Sequence, residues 1–382
     1  MTLPQIRGSL YVDGRWCEAE SGRTVTVRFT HPTNPRNLQE SAMSINRRQF
    51  VRETARATLA LGSFGVLGTA LARAEEGKPS MNPAPLPIVD THQHLWDLNV
   101  LRLGWLKSAG HLNRSFVTKD YLEAAEGLNV VKAVYMEVAV DPDCLVAEAE
   151  YVIDLCQRDD NPTAAAVIGG RPGEESFRAY ITRFKESPYV KGVRHILPGD
   201  TPDLWSQKRF IEGIRLLGEL GMRFDLCMPP ERLPQAAKLV AACPDTRFVL
   251  DHCANADPVA FMSPKRQETA RPARSAQHDP DQWRRDLAKL AERDRVICKI
   301  SGIIARAPEE NWIPDDLAPI VNHCLDTFGP ARVIFAGDWP VCTRTATLGQ
   351  WVEALKEIVR DRPQDEQRKL FHDNAVRFYG LA

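Results

Sequence analysis

From residue 86 onward, short apolar, β-branched runs alternate with longer amphipathic stretches. The runs fall at 88–91, 130–138, 164–169, 190–195, 223–228, 247–252, 296–301 and 333–338. Helices are predicted between or after them at 145–158, 174–186, 208–219, 233–242, 281–293, 318–328 and 348–360, with Gly, Pro or Asp at most junctions. Strands that alternate with helices build parallel βαβ units. Eight such units over about 300 residues predict an α/β chain closed into a (β/α)8 TIM barrel. An open doubly wound sheet is the alternative, but neither G-x-G-x-x-G nor a P-loop follows any of the runs.

In a TIM barrel the chemistry sits at the carboxyl ends of the strands. Here those ends read Asp90-Thr91-His92-Gln93-His94, Glu137, Arg194-His195, Asp225, Asp251-His252, Lys299 with Ser301, and Asp338-Trp339-Pro340. His92 and His94 are two residues apart, so on an extended segment their side chains share a face. Two imidazoles aimed into one cavity can ligate a metal or polarise a carbonyl together. H-x-H alone is a weak signal. With His252 and Asp338 at two further strand ends, it marks one rim. His111 and His278 in polar loops, and His323 and His372 on late helices, are read as solvated or packing residues, and His31 as part of the leader.

The N-terminal region reads as an address. Arg47-Arg48, the apolar small-residue stretch 57–72 and Ala72-Arg73-Ala74 are the three parts of a twin-arginine export signal over 43–74. This predicts a periplasmic or extracellular protein. The stretch is too short and too weakly apolar for a stable membrane span. Met43 is read as the native start, with 1–42 a non-native or disordered extension, apart from a small hairpin about Asp13-Gly14. Residues 75–85 are read as a linker and 86–382 as the barrel. The nine cysteines contain no C-x-x-C pair and sit mostly among apolar residues, as free core thiols do. A net charge of −1 gives no field to attract nucleic acid. The expected partner is a small-molecule substrate, and nothing in the pattern sets an oligomeric state.

Val89-Asp90-Thr91-His92-Gln93-His94-Leu95-Trp96, Gly192-Val193-Arg194-His195, Asp251-His252 and Phe335-Ala336-Gly337-Asp338-Trp339-Pro340 together resemble the amidohydrolase-related family. The closer similarity is to its lactonase branch, which contains L-fuconolactonase and 2-pyrone-4,6-dicarboxylate lactonase. The terminal Phe371–Leu381 segment is similar as well. The resemblance implies His92, His94, His252 and Asp338 as ligands of one divalent ion, zinc by preference, or as a metal-free site. It does not imply a two-metal centre. The fourth run offers His195 in place of a bridging lysine or carboxylate, and the fifth ends Leu226-Cys227-Met228 with no histidine. Cys253-Ala254-Asn255-Ala256-Asp257 also departs from the branch, and a polar insertion at about 263–280 is expected to reshape the pocket mouth.

The implied activity is hydrolysis of a sugar-acid or dicarboxylate lactone. Asp338 is expected as the base, with His252 and His195 also catalytic. Arg194, Glu137, Lys299 and Trp339 are expected to hold substrate, Lys299 alternatively neutralising a buried carboxylate. Asp90 and Asp251 are expected to orient histidines or to pair with basic side chains. The alternatives are a decarboxylase or lactone isomerase using the same histidines, and an exported barrel that binds a sugar acid without turning it over.

Overall fold

The computed structural model describes residues 9–12, 15–18, 85–196 and 204–381. The export signal, its cleavage site and residues 75–84 of the linker lie outside the described residues. The chain divides into a unit Met1–Ser80 and a unit Met81–Ala382. In the first, strands Ser9–Val12 and Arg15–Glu18 pair antiparallel with Val12 opposite Arg15. The expected turn residues Asp13 and Gly14, between these strands in the sequence, lie outside the described residues.

In the second unit all eight expected runs are strands: β1 Ile88–Gln93, β2 Val130–Met136, β3 Thr163–Gly169, β4 Val190–Arg194, β5 Arg223–Leu226, β6 Arg247–Leu250, β7 Val296–Ile300 and β8 Val333–Phe335. They pair in sequence order, every neighbour parallel. Among the helices between or after them are α1 Thr118–Ala124, α2 Leu145–Cys156, α3 Phe177–Thr182, α4 Lys208–Glu219, α5 Leu233–Ala242, α6 Pro280–Ala291, α7 Pro314–Phe328 and α8 Leu348–Val359. The segment expected as a helix at 174–186 is helical only over Phe177–Thr182. Helix α1 was not expected; its seven residues bury a single side chain, Tyr121, too little for a periodic signal.

Strand alternation sorts the apolar residues into two layers. Val89, Val134, Met136, Ala165, Val167, Val249, Ile297 and Ile334 form one cluster inside the barrel, together with Ala375, Tyr379 and Leu381 of the terminal segment. Arg223, at the start of β5, donates Nη2 to the Phe378 carbonyl, so that segment closes the amino-terminal end of the barrel. The alternate residues, among them Ile88, Tyr135, Ile168, Phe224, Leu250 and Cys298, pack in the outer cluster with the helices.

The last strand meets the first without a full ladder. Gln93 and Trp339 form an isolated parallel bridge, and the His94 N–H donates to the Trp339 carbonyl at 2.8 Å. Thr91 Oγ1 donates to the Phe335 carbonyl at 2.7 Å. Six of the strands end earlier than their apolar runs, because the residues that follow turn toward the rim; β1 runs on to Gln93 and β3 ends with its run at Gly169.

Candidate active site

The rim holds a buried polar cluster above the apolar interior. His92 and His94 leave β1 with their rings edge to face, centroids 4.8 Å apart. Both reach Asp338, His94 Nε2 at 3.4 Å and His92 Nε2 at 3.7 Å from Oδ1. His252 Nε2 lies 4.0 Å from the same oxygen. The expected H-x-H, third histidine and aspartate therefore converge on one point.

Each ring is held from behind. His94 Nδ1 is 3.0 Å from the Met136 carbonyl, which can only accept, so Nδ1 carries the proton and the Nε2 lone pair faces Asp338. His252 Nδ1 is 2.9 Å from Ser301 Oγ. A hydroxyl can donate or accept there, so His252 can present Nε2 as donor or as ligand. Burial, followed by the Lys299 ammonium, pushes His92 well below the imidazole range, and burial lowers His252. Burial alone would raise Asp338, but the charges around it, His252 first, outweigh it and hold the carboxyl below its usual value.

Beneath these groups lies a charge network. Arg194 Nε donates to Glu137 Oε1 and Nη2 to the Glu137 carbonyl, both at 2.7 Å. Its Nη1 lies 3.1 Å from His92 Nε2 and 3.6 Å from Asp251. Lys299 Nζ lies 2.6 Å from Asp225 and 3.1 Å from Asp251, and 3.4 Å from His92 Nδ1. Burial pushes Asp225 up to about 7. Burial also raises Asp251, but Lys299 and then His92 pull it well below the carboxylate range. The guanidinium can only donate, so His92 Nε2 accepts from it, while Nδ1 lies between the Lys299 ammonium at 3.4 Å and Asp251 at 3.6 Å.

Of the other expected residues, Lys299 neutralises carboxylates and Glu137 fixes Arg194. The Trp339 ring packs on Phe116 and Tyr121 with centroids 5.4 Å away. His195 stands apart from the three converging rings. It stacks on Phe210, its Nδ1 has no hydrogen-bond partner among the described residues, and burial followed by Arg171 pushes it down to about 4. Asp251 touches His92, Lys299 and Arg194, as expected. Asp90 does not orient an imidazole or meet a basic side chain. It accepts the N–H groups of His92 and Gly337 and the Tyr121 hydroxyl. The 263–280 insertion is tied to the end of β6, where Arg274 makes a two-pronged pair with buried Asp257.

The loops that present Asp338 and His252 are strained. Asp338 has φ 54°, and His252, Cys253, Ala254 and Asn255 have φ 55°, 53°, 60° and 52°. Left-handed backbone costs an L-residue about 1–2 kcal/mol, and such cost gathers where function fixes the geometry. Gly302 leaves the room His252 needs, since a Cβ there would lie 2.4 Å from His252 Cγ. Tyr121 and Gly302 were not among the expected site residues, and Ser301 was named at its strand end without a role. The Ser-Gly pair after β7 was a visible signal, while Tyr121 had none.

His92, His252 and Asp338 place ligand atoms within 4.8 Å of one another. Two ligands of a tetrahedral zinc, each about 2.1 Å from it, are about 3.4 Å apart. The separations of 3.4, 3.7 and 4.0 Å from Asp338 to the three Nε2 atoms are close to that spacing. His92, His252 and Asp338 fit one divalent ion, with Arg194 as a competitor for His92 Nε2; His94 reaches Asp338 but lies outside that group of three.

A family model described as amidohydrolase matches residues 89–381. The chain belongs to the amidohydrolase family. One relative is an L-fucono-1,5-lactonase of Burkholderia multivorans, 26% identical over 301 residues, 77% of this chain and 96% of that protein. An amidohydrolase structure from the same species with bound zinc aligns with TM-score 0.65 and 22% identity, covering 78% of this chain and all of that one (100%). A probable 2-pyrone-4,6-dicarboxylic acid hydrolase from Acinetobacter baumannii aligns with TM-score 0.58 and 17% identity, covering 77% and 99%. The amidohydrolase barrel is thus the fold of this chain, and the converging histidines and Asp338 sit at the carboxyl ends of its strands.

Proposed function

We propose that this amidohydrolase opens a lactone ring with an activated water, the substrate being a sugar-acid or dicarboxylate lactone. The observation that carries the reading is the convergence of three Nε2 atoms on Asp338, beside the lactonase relative at 26% identity. His94, with its proton held at Met136, cannot protonate Asp338, which keeps the carboxylate free to act as base. Asp338 takes a proton from the attacking water and returns it to the ring oxygen as the acyl C–O bond breaks. His252, with Nε2 protonated and Nδ1 accepting from Ser301, can donate to the carbonyl oxygen as charge develops there. A divalent ion held by His92, His252 and Asp338 would supply Lewis-acid polarisation and a more acidic water. Arg194 places a fixed positive charge at the floor of the site, suited to a carboxylate or hydroxyl of the substrate.

The test is a panel of sugar-acid and dicarboxylate lactones assayed by proton release, with metal content measured before and after chelation. The expected result is turnover of at least one lactone, reduced about 10²–10⁴-fold in Asp338→Asn. Loss of activity on chelation, restored by zinc, supports the metal-assisted form, and full activity in metal-free protein removes it. A wild-type protein that binds lactones without hydrolysing them overturns the reading. We also propose export, supported by Arg47-Arg48, the 57–72 stretch and Ala72-Arg73-Ala74. Cell fractionation with and without Arg47→Lys/Arg48→Lys tests it. Among the described residues no helix is long and apolar enough to cross a membrane.

A further inference from the structure

Three cysteines meet where the proposed chemistry has no use for them. Cys298 lies on β7 between Ile297, which faces the barrel interior, and Lys299, so its side chain points outward to the helices. Cys324 is on α7, and Cys253 is in the left-handed turn after β6. All three are fully buried, and their sulfurs lie within 4.8 Å of one another. Cys253 and Cys298 both direct their thiols at the Lys299 carbonyl, at 3.6 and 3.8 Å.

From this convergence we infer that Cys253, Cys298 and Cys324 form a trigonal site for a soft monovalent cation of the Cu(I) type. Three sulfurs each about 2.3 Å from one ion are about 4 Å apart, a spacing the cluster already approaches. Structural zinc takes four ligands. No fourth His, Cys, Asp or Glu completes this group among the described residues. A soft, all-sulfur, three-coordinate donor set selects Cu(I). Binding replaces S–H bonds by S–Cu bonds, and the displaced protons pass to solvent. The site stands on the outer side of the sheet, and it does not depend on the lactonase reading.

The test uses the full chain, reduced and handled without oxygen, titrated with Cu(I) against a competing Cu(I) chelator. The expected result is one retained equivalent, with a thiolate-to-copper charge-transfer band and an X-ray absorption spectrum showing three sulfur neighbours. Cys298→Ala and Cys324→Ala should each weaken retention at least tenfold, while Cys342→Ala, a buried thiol outside the cluster, should keep it. Retention unchanged in Cys298→Ala/Cys324→Ala overturns the site. So does a wild-type spectrum with nitrogen or oxygen neighbours, as the histidine cluster would give, and so does no retained copper. If the variants do not fold, the wild-type spectrum alone decides.

Discussion

Asp90 Oδ1 accepts the backbone N–H of Gly337 at 2.7 Å, which ties the strand bearing His92 to the residue just before Asp338. The same oxygen accepts the His92 N–H at 3.1 Å, and Oδ2 accepts the Tyr121 hydroxyl at 2.9 Å. One buried carboxylate thus adds to the isolated bridge by which the first and last strands meet.

Asp90→Ala should therefore affect folding and the site together. Two buried amides lose their acceptor, at about 1–3 kcal/mol each, and the spacing of His92 and Asp338 loosens. Tyr121→Phe removes one bond and should cost about 1 kcal/mol. Gly337→Ala places a Cβ 2.5 Å from Asp90 Oδ2 and should resemble Asp90→Ala. Urea unfolding and kcat on the best lactone check all three. A Gly337→Ala protein with wild-type stability and kcat would sink the linkage.

Gly302→Ala should disable the third histidine. The position has φ +68° and no room for a Cβ beside the His252 ring. The expected outcome is a loss of about 2 kcal/mol in stability, combining strain and overpacking. The fall in kcat should exceed that of Ser301→Ala, which removes only the hydrogen bond to His252 Nδ1. Thermal unfolding and steady-state kinetics of the two variants test the order, and equal effects on kcat would refute it.

The barrel was legible because β-branched runs and amphipathic stretches repeat through the chain, and periodicity is a local property. The converging groups were legible because His92, His94, His252 and Asp338 all fall at or just beyond the ends of strands that share one rim. What sequence reading could not supply was distance. His195 directly follows Arg194 and reads as its equal, yet the chain leaves β4 between them. Arg194 turns into the charge network while His195 stacks on Phe210. Asp90 reads as a partner for imidazoles, but its carboxylate accepts the neighbouring His92 amide and the Gly337 amide that only the closed barrel brings near. Tyr121 lies on a short helix with no motif, so its bond to Asp90 exists only in three dimensions.

His195 predicts an acid-sensitive component of stability. Its pKa falls from 6.5 to about 4 on folding. Between those values the unfolded chain binds more protons than the folded one, so stability is full above pH 6.5 and is lost as pH falls toward 4. The loss should reach about 3 kcal/mol across that window. His195→Gln has no proton to gain and should show a flatter acid limb, read as urea midpoints at pH 7 and pH 4.5. Parallel limbs in the two proteins would remove His195 as the cause.

Lys299 separates two roles that sequence reading left equal. If it bound substrate, Lys299→Met would raise KM and leave the fold intact. The structure surrounds its ammonium with Asp225 at 2.6 Å and Asp251 at 3.1 Å, all three side chains fully buried. Removing the cation strands two carboxylates, and breaking a buried pair in this way costs about 3–5 kcal/mol. Lys299→Met should therefore unfold at much lower urea. Lys299→Met/Asp225→Asn should recover part of the loss, because one of the stranded charges is gone. The recovery should be incomplete, since Asp251 still faces His92 and Arg194 without its lysine. Stability of the single variant equal to wild type, with only KM raised, would return Lys299 to the substrate side.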